Sequence, residues 1–211
     1  MSFVMRMPQI GIIVLAAGAS IRMGEPKQLL RFEGKTLLRR AVNAARDSRC
    51  HPVVVVLGSE ADALQNEISE TAAHIVVNQA WAEGMGASIR CGIAALEARS
   101  MVEAVVLTLC DQPFITADVI NRLLDAYQTG RPPLVAAEYE VGGERTIGVP
   151  ALFSRALFGE LLNLRGTEGA KRVIARHRNE AAVIQIPEAA FDVDTPHDYR
   201  VLQNTHSLSG D

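Results

Sequence analysis

The chain has 211 residues, of which 48% are hydrophobic, so it is long enough for one α/β domain with a full core, and we treat residues 1–211 as a single domain. Its net charge of −3 gives no basic surplus for nucleic acid, and no apolar stretch is long enough to span a membrane. Its three cysteines form no CxxC pair, which argues against a disulfide framework or a zinc site and leads us to expect a cytoplasmic protein.

Three short apolar runs predict strands that are buried on both faces. They cover residues 12–17 (IIVLAA), 53–57 (VVVVL) and 104–109 (AVVLTL). All three are rich in β-branched residues and lack polar alternation, a pattern typical of a parallel sheet that helices cover on both sides.

Segments with one apolar face lie between these strands and predict helices. Thr36, Ser59 and Thr116 are positioned to cap three of them, and residues 86–98 form another. The alternation of strands and helices predicts an α/β fold with a Rossmann-like, doubly wound, mostly parallel sheet and helices on both faces.

The second half of the chain is less regular. Glycine pairs favour tight turns, and proline is favoured in the first turn of a helix. The predicted elements are a strand over residues 134–138, a turn of a small β-ribbon at Gly142-Gly143, helices over 154–162 and 168–177, a strand over 182–186 and a last helix after Thr195-Pro196. The polar residues 204–211 predict a frayed tail.

Residues 15–30 (LAAGASIRMGEPKQLL) directly follow the first strand, at the edge of the sheet where ligands bind in open α/β folds. Gly18 and Gly24 let the backbone approach a ligand closely, and its N–H groups, with Arg22 and Lys27, could hold a triphosphate. The spacing matches neither G-x-G-x-x-G nor G-x-x-x-x-G-K-[ST], so neither a dinucleotide-binding oxidoreductase nor a P-loop is supported. A plain turn with two cations remains the alternative.

A second glycine-containing segment covers residues 78–92 (NQAWAEGMGASIRCG). Gly84 and Gly86 open a helix whose N-terminal N–H groups can face a nucleotide. Ser88 is a candidate for contact with the base edge or the ribose, although packing is an equal alternative. For Trp81 we favour a role as a core anchor over stacking on the ligand.

Residues 109–115 (LCDQPFI) end the third buried strand. A carboxylate at Asp111 would be costly there unless a cation or strong donors accompany it, so this position indicates a functional site. Gln112 is a candidate for orienting a phosphate or the substrate. Cys110 is better explained by packing than by nucleophilic chemistry, because no histidine is near in sequence.

Residues 191–199 (FDVDTPHDY) carry the other acidic motif. Asp192 and Asp194 occupy alternating positions, so they need not face the same way. Asp198 is predicted to lie in the first turn of the last helix and to interact with the helix dipole.

Together these segments resemble the molybdopterin nucleotidyltransferases, and most closely their cytidylyltransferase branch. The resemblance lies in LAAG-x-S-x-RMG-x-PK, N-x-x-W-x-x-G-M-x-x-S, C-D-Q-P and D-V-D-T-P, and it covers most of the chain between residues 10 and 199. It implies a fold of the nucleotide-diphospho-sugar transferase type, with an NTP-binding half at about 10–115 and an acceptor-binding half at about 116–200.

The resemblance also implies roles for individual residues. The implied nucleotide-binding residues are Leu15, Ala16, Ala17, Gly18, Ser20, Arg22, Lys27, Gly84 and Ser88. It makes Lys27, Arg22 and Asp111 catalytic. It also implies a Mg²⁺ ion on Asp111 together with Asp192 or Asp194, between which the sequence does not choose.

Two later segments resemble the acceptor-binding part of the family. Residues 148–153 (GVPALF) match its G-x-P-x-x-F, and residues 166–171 (GTEGAK) are similar to its G-D-x-G-A-R. Thr167 and Lys171 replace the usual Asp and Arg, and a lysine is a point charge where an arginine is a bidentate fork. The implied acceptor-binding residues are Gln112, Gly148, Pro150, Gly169, Lys171 and Arg172. A solvated helix face is the alternative for the last two.

The resemblance implies a Mg²⁺-dependent transfer of CMP from CTP to the terminal phosphate of molybdopterin, which gives molybdopterin cytosine dinucleotide and pyrophosphate. Ala17 stands where the related guanylyltransferases usually carry a second glycine, and its methyl group favours a pyrimidine. Two alternatives stay open: a cytidylyl- or guanylyltransferase for another phosphorylated small molecule, and a non-catalytic accessory protein that binds the molybdenum cofactor. A recipient molybdoenzyme or its chaperone would be a further partner.

Overall fold

The computed structural model describes residues 9–207. In this range the strands are β1 (Ile10–Ala16), β2 (Arg31–Phe32), β3 (Lys35–Thr36), β4 (Val53–Leu57), β5 (His74–Val77), β6 (Ala104–Leu109), β7 (Leu134–Val141), β8 (Glu144–Ser154) and β9 (Ala181–Gln185). The α-helices are α1 (Leu37–Asp47), α2 (Ala61–Ile68), α3 (Met85–Glu97), α4 (Ala117–Gln128), α5 (Phe158–Leu162), α6 (Ala170–Arg176) and α7 (Pro196–Ser207). None of the helices in this part of the chain has the length and apolar character needed to cross a bilayer.

Seven of these strands form one sheet in the order β5-β4-β1-β6-β8-β7-β9, and β2 pairs with β3 in a small separate sheet. Within the large sheet β8 runs antiparallel to β6 and β7, and the other neighbouring pairs are parallel. The chain adds β4 and β5 on one side of β1 and then crosses to β6 on the other side. The carboxyl ends of β1 and β6 therefore meet at a switch point, where ligands bind in such folds.

Helices cover both faces of the sheet, which confirms the predicted fold class. On one face α1, α2 and α4 enclose a core that includes Ile12 and Val14. On the other face α3, α5 and α6 enclose a core that includes Ile13 and Leu15. Successive side chains of β1 thus enter different cores, and complete burial of each aliphatic side chain stabilises the fold by about 1.5–3 kcal/mol. This explains why the strand lacks polar residues.

Two of the three predicted helix caps are present in the structure. The Thr36 hydroxyl accepts a hydrogen bond from the Arg39 backbone N–H (3.0 Å), and Thr116 caps α4 in the same way, so both predictions are confirmed. The prediction for Ser59 is wrong. Helix α2 begins at Ala61 after a left-handed Glu60 (φ 58°) and has no side-chain cap, while the Ser59 N–H donates to the carbonyl oxygen of Ala17 (3.2 Å).

The predicted β-ribbon is the hairpin of β7 and β8, which is longer than the sequence indicates and belongs to the main sheet. Its turn lies at Gly142 and Gly143, whose φ angles of 60° and 85° suit glycine. The last helix begins at Pro196 as predicted. It continues through residues 204–207, which corrects the expected frayed tail there, and residues 208–211 of that tail lie outside the described residues.

Candidate active site

A cleft with an empty volume of about 790 Å³ opens at the switch point between β1 and β6. The Cys110 N–H donates to the Leu15 carbonyl oxygen (3.2 Å), which holds the end of β6 beside the glycine loop. The predicted site residues that line this cleft are Leu15, Ala16, Ala17, Gly18, Lys27, Gly84, Ser88 and Asp111. The structure therefore brings the first three sequence motifs to one place.

The C-terminal acidic motif reaches the same place through Val193. This side chain is fully buried in a third apolar cluster with Met23, Leu30 and Leu202. Its N–H donates to the Asp111 carbonyl oxygen (2.9 Å). The apolar cluster thus fixes the segment that carries Asp192 and Asp194 next to the end of β6.

Lys27 joins the two acidic motifs. Its Nζ donates to Asp111 Oδ2 and to Asp194 Oδ1, both at 2.6 Å, and only 13% of its side chain is exposed. Burial by itself lowers the pKa of Lys27, but the charge of Asp111 and the hydrogen bonds to both carboxylates outweigh it, so the pKa lies above its usual value. The ammonium group is therefore a fixed positive charge at the floor of the cleft.

Asp194 uses both of its carboxylate oxygens. Oδ1 accepts from Lys27, and Oδ2 accepts from Arg22 Nη2 at 2.8 Å. Burial raises the pKa of Asp194, but the hydrogen bond and charge of Lys27, aided by Arg22, bring it below its ordinary value. The Arg22 side chain is 70% exposed, so it is free to turn from Asp194 to an incoming anion at small cost.

Three carboxylates, Asp111, Asp192 and Asp194, stand against the two cations Lys27 and Arg22, so the site keeps one uncompensated negative charge. The Oδ1 atom of Asp111 is buried and has no hydrogen-bond partner among the described residues. Desolvation, followed by repulsion from Asp111, raises the pKa of Asp192 to about 6, although part of the residue remains exposed to solvent. An oxygen-seeking divalent cation would relieve both.

No cluster of three or more His, Cys, Asp or Glu side chains within residues 9–207 is arranged to hold a metal ion. Two carboxylates are nevertheless a sufficient protein contribution for Mg²⁺, which usually binds one or two carboxylates and completes its shell with substrate phosphates and water. The adjoining Cys110 is buried, and this burial raises the pKa of its thiol, so it is unsuited to nucleophilic chemistry.

The glycine loop is held by Gln28, which the sequence reasoning missed. Only 1% of this residue is exposed. Its Nε2 donates to the carbonyl oxygens of Ala16 (3.1 Å) and Gly18 (2.7 Å), and its Oε1 accepts from the Ser20 hydroxyl (3.1 Å). Ser20 Oγ also accepts the Lys27 N–H (3.1 Å), so this serine braces the loop and does not line the cleft. The signal that the sequence offered for this role was a glutamine directly after the loop lysine, Lys27.

Replacing Gln28 by Ala should therefore loosen the loop. It removes the Gln28 donor from the buried Ala16 carbonyl oxygen and from the part-buried Gly18 carbonyl oxygen, which costs about 1–3 kcal/mol of the free energy of unfolding. We expect the KM for the nucleotide to rise at least about tenfold because the loop is no longer pre-organised. Urea unfolding and steady-state kinetics measure the two effects. The exposed Gln128→Ala is the matched control, and an unchanged KM for Gln28→Ala would contradict the bracing role.

The start of α3 forms the opposite wall of the cleft. Gly84 precedes the helix with a φ of 115°, and a Cβ there would lie 2.6 Å from the Gly166 carbonyl oxygen, so glycine is required. Ser88 is buried and accepts from Asn78 Nδ2 (3.1 Å), a partner that the sequence did not suggest. Trp81 is partly buried against the adjacent core, and it also lines the cleft.

A second cavity, also with an empty volume of about 790 Å³, adjoins the cleft and shares Leu15, Met85 and Leu109 with it. Among the predicted acceptor residues, Gly169 and Lys171 line this cavity. Its walls are mainly apolar, and they suit the body of a small molecule better than another polyphosphate.

The other predicted acceptor residues differ in position. Gln112 is buried, its Nε2 donates to the Ala189 carbonyl oxygen (3.3 Å), and its Oε1 has no partner among the described residues. Gly148 and Pro150 lie outside the cavity lining, and a Cβ at Gly148 would come within 2.5 Å of the Tyr139 hydroxyl. Arg172 also lies outside the lining, and its guanidinium pairs with Glu168 one helical turn earlier.

Comparison with known proteins identifies the family. Residues 12–181 match the MobA-like NTP transferase domain. The chain belongs to this family. It is a nucleotidyltransferase, and the resemblance inferred from its sequence motifs is confirmed at this level.

The chain is also similar to individual proteins that carry different names. The chain is 36% identical over 126 residues to nicotine blue oxidoreductase of Paenarthrobacter nicotinovorans, covering 59% of this chain and 60% of that protein. It is 23% identical over 194 residues to molybdenum cofactor cytidylyltransferase of Escherichia coli K12, covering 92% of this chain and 95% of that protein.

Solved structures share the fold over nearly the whole chain. The crystal structure of Rv0371c from Mycobacterium tuberculosis H37Rv has a TM-score of 0.80 and 31% identity, covering 95% of this chain and 100% of that chain. A second structure of Rv0371c, in complex with manganese, has a TM-score of 0.77 and 28% identity and covers 93% of this chain and 99% of that chain.

Proposed function

We propose that this nucleotidyltransferase is a Mg²⁺-dependent cytidylyltransferase that transfers CMP from CTP to the terminal phosphate of molybdopterin and releases pyrophosphate. The observation that carries the proposal is the Lys27 ammonium group, held at 2.6 Å from both Asp111 and Asp194 below the glycine loop. The E. coli relative named molybdenum cofactor cytidylyltransferase, which aligns over 92% of this chain, supports this choice of substrates. We also propose that the reaction takes place in the cytoplasm, where the three free cysteines would stay reduced.

The chemistry requires positioning and charge neutralisation more than proton transfer. A phosphate monoester has a second pKa near ~6, so the acceptor phosphate is largely a dianion at neutral pH and requires no general base. One of its oxygens forms a bond to the α-phosphorus of CTP, and the bond from the α-phosphorus to the bridging oxygen breaks as pyrophosphate leaves. The glycine-loop N–H groups, Lys27 and Arg22 would hold the triphosphate in line for this attack.

We propose that Asp111 and Asp192 hold the Mg²⁺ ion. Asp194 is the poorer candidate because both of its oxygens are already bound to Lys27 and Arg22, and it is better suited to positioning the lysine. A bound Mg²⁺ ion would neutralise the charge that develops on the α-phosphate. The manganese in the Rv0371c structure supports a divalent ion in this family.

The acceptor would occupy the second cavity, which opens beside Asp111 through the shared residues Leu15 and Leu109. A recipient molybdoenzyme or its chaperone would take the product.

The decisive experiment offers CTP, GTP and ATP together with molybdopterin and Mg²⁺, then identifies the dinucleotide by mass and counts released pyrophosphate. We expect the cytosine dinucleotide and one pyrophosphate per product, both abolished by EDTA. A guanine dinucleotide would identify a guanylyltransferase. Binding of CTP and molybdopterin without pyrophosphate release would identify an accessory protein.

The choice of base can be tested at Ala17, whose side chain is 5% exposed and lines the cleft. Replacement by Gly removes one methyl group from the base side of the cleft. We expect the ratio of kcat/KM for CTP over GTP to fall about tenfold, the usual effect of one methyl group on discrimination. Competition between the two nucleotides measures it. The control is Ala19→Gly in the same loop, and an unchanged ratio in Ala17→Gly would reject crowding as the cause of selectivity.

A further inference from the structure

A basic recess next to the acceptor cavity is lined by residues of β8, of α6 and of the turn that follows α6. It has an empty volume of about 540 Å³. Its lining consists of Arg145, Lys171 and Arg178 around the smaller apolar surface of Ile147, Ile174 and Ala175. The two arginines have no role in the mechanism proposed above.

The three cations of this recess are unpaired. None of their side chains has an ion-pair or hydrogen-bond partner among residues 9–207. Glu140 stands opposite Arg145 in the β-hairpin register, yet the two make no ion pair. By contrast, Arg176 on the outer side of α6 pairs with Glu160 at 2.6 Å. In a chain of net charge −3, this concentration of uncompensated positive charge marks a surface prepared for an anion.

The recess adjoins the acceptor cavity, since Lys171 lines both. The acceptor cavity in turn shares Leu15, Met85 and Leu109 with the nucleotide cleft. A single molecule can therefore extend from the reacting phosphate, through a largely apolar middle, to the cations at the far side.

We infer that Arg145 and Arg178, with Lys171, form a second anion subsite, which binds an anionic group of the acceptor other than the phosphate that attacks CTP. This inference rests on the proposed function. An oxyanion or a dithiolate suits the site, since arginine offers a planar set of donors to such groups. The concave shape and the neighbouring acceptor cavity favour a small-molecule group over the acidic surface of a protein.

The first arm of the test asks whether the subsite binds an anion, independently of any activity. Inorganic phosphate is titrated into ¹⁵N-labelled full-length protein, and backbone amide shifts are followed by NMR. We expect saturable shifts near Ile147 and Ile174, with binding weakened at least about tenfold in the double variant Arg145→Gln/Arg178→Gln. The paired Arg176→Gln is the control and should bind phosphate as the wild type does. Shifts confined to residues 17–28, or equal binding by the double variant, would overturn the subsite.

The second arm asks whether the anion belongs to the acceptor. The double variant should raise the KM for molybdopterin about ten- to a hundredfold, with kcat and the KM for CTP within about twofold of the wild type. Weakened phosphate binding with an unchanged molybdopterin KM would overturn the assignment to the acceptor and favour an acidic protein partner. If the wild type itself transfers no CMP, the proposed function fails while the phosphate titration still decides whether the subsite exists.

Discussion

Replacing Asp111 by Asn is expected to lower turnover about 1000-fold while the fold stays intact, because the change removes one charge without changing the shape of the side chain. Asp111 contributes two different oxygens. Oδ2 fixes the Lys27 ammonium group at 2.6 Å, and the buried Oδ1 is left over for a metal ion. An asparagine amide can replace neither function fully, since it is neutral and presents only one acceptor oxygen. The loss should appear in kcat, because both interactions act on the α-phosphate as it reacts.

The same variant should also be less stable. Lys27 is largely buried and would keep only Asp194 as a carboxylate partner, so we expect a loss of about 1–3 kcal/mol in the free energy of unfolding. Urea unfolding measures the stability, and CTP-dependent pyrophosphate release measures turnover. Asp47→Asn, at an exposed position far from the cleft, is the matched control. Turnover of Asp111→Asn within about tenfold of the wild type would remove Asp111 from the mechanism.

The meeting of the acidic motif at Asp111 with the glycine loop follows from sequence alone. Buried runs without polar alternation predict parallel strands, and the carboxyl ends of parallel strands lie at one edge of the sheet. Residues that directly follow such runs must therefore be neighbours. Gly18, Lys27 and Asp111 can be placed in this way, because each lies within a few residues of the end of β1 or β6 or in the loop between defined elements.

Tertiary packing determines the rest of the site, and the sequence does not predict it. Whether Asp192 or Asp194 faces Lys27 depends on Val193, whose burial in the third apolar cluster sets the rotation of the segment. The bracing by Gln28 joins residues 8 to 12 positions apart along a loop without regular periodicity. The recess formed by Arg145 and Arg178 combines a strand and a helix end that no motif links.

The pH dependence of stability should distinguish Asp192 from the other site carboxylates. Its pKa is about 6 in the folded protein, against 3.8 for the unfolded group, so the folded state binds its proton more tightly. Protonated Asp192 therefore contributes its full stabilisation of the folded state below about pH 4, and this contribution is lost as the pH rises through about 6. Without solvent screening, this pKa difference would correspond to about 3 kcal/mol in the free energy of unfolding. Because Asp192 is exposed, solvent screening reduces the contribution to about 1 kcal/mol.

An Asp192→Asn variant without added metal should therefore unfold at higher urea concentration than the wild type at pH 7.5, and the difference should vanish near pH 4. The same variant should lose turnover about 100-fold, because one proposed metal ligand is gone. Asp111→Asn has the opposite effect on stability, since its carboxylate is paired with Lys27 whereas Asp192 is repelled by Asp111. Adding Mg²⁺ should stabilise the wild type more than Asp192→Asn, because the ion compensates the repulsion only when both carboxylates are present. Equal stabilisation by Mg²⁺ in the two proteins would exclude Asp192 as a ligand and return the choice to Asp194.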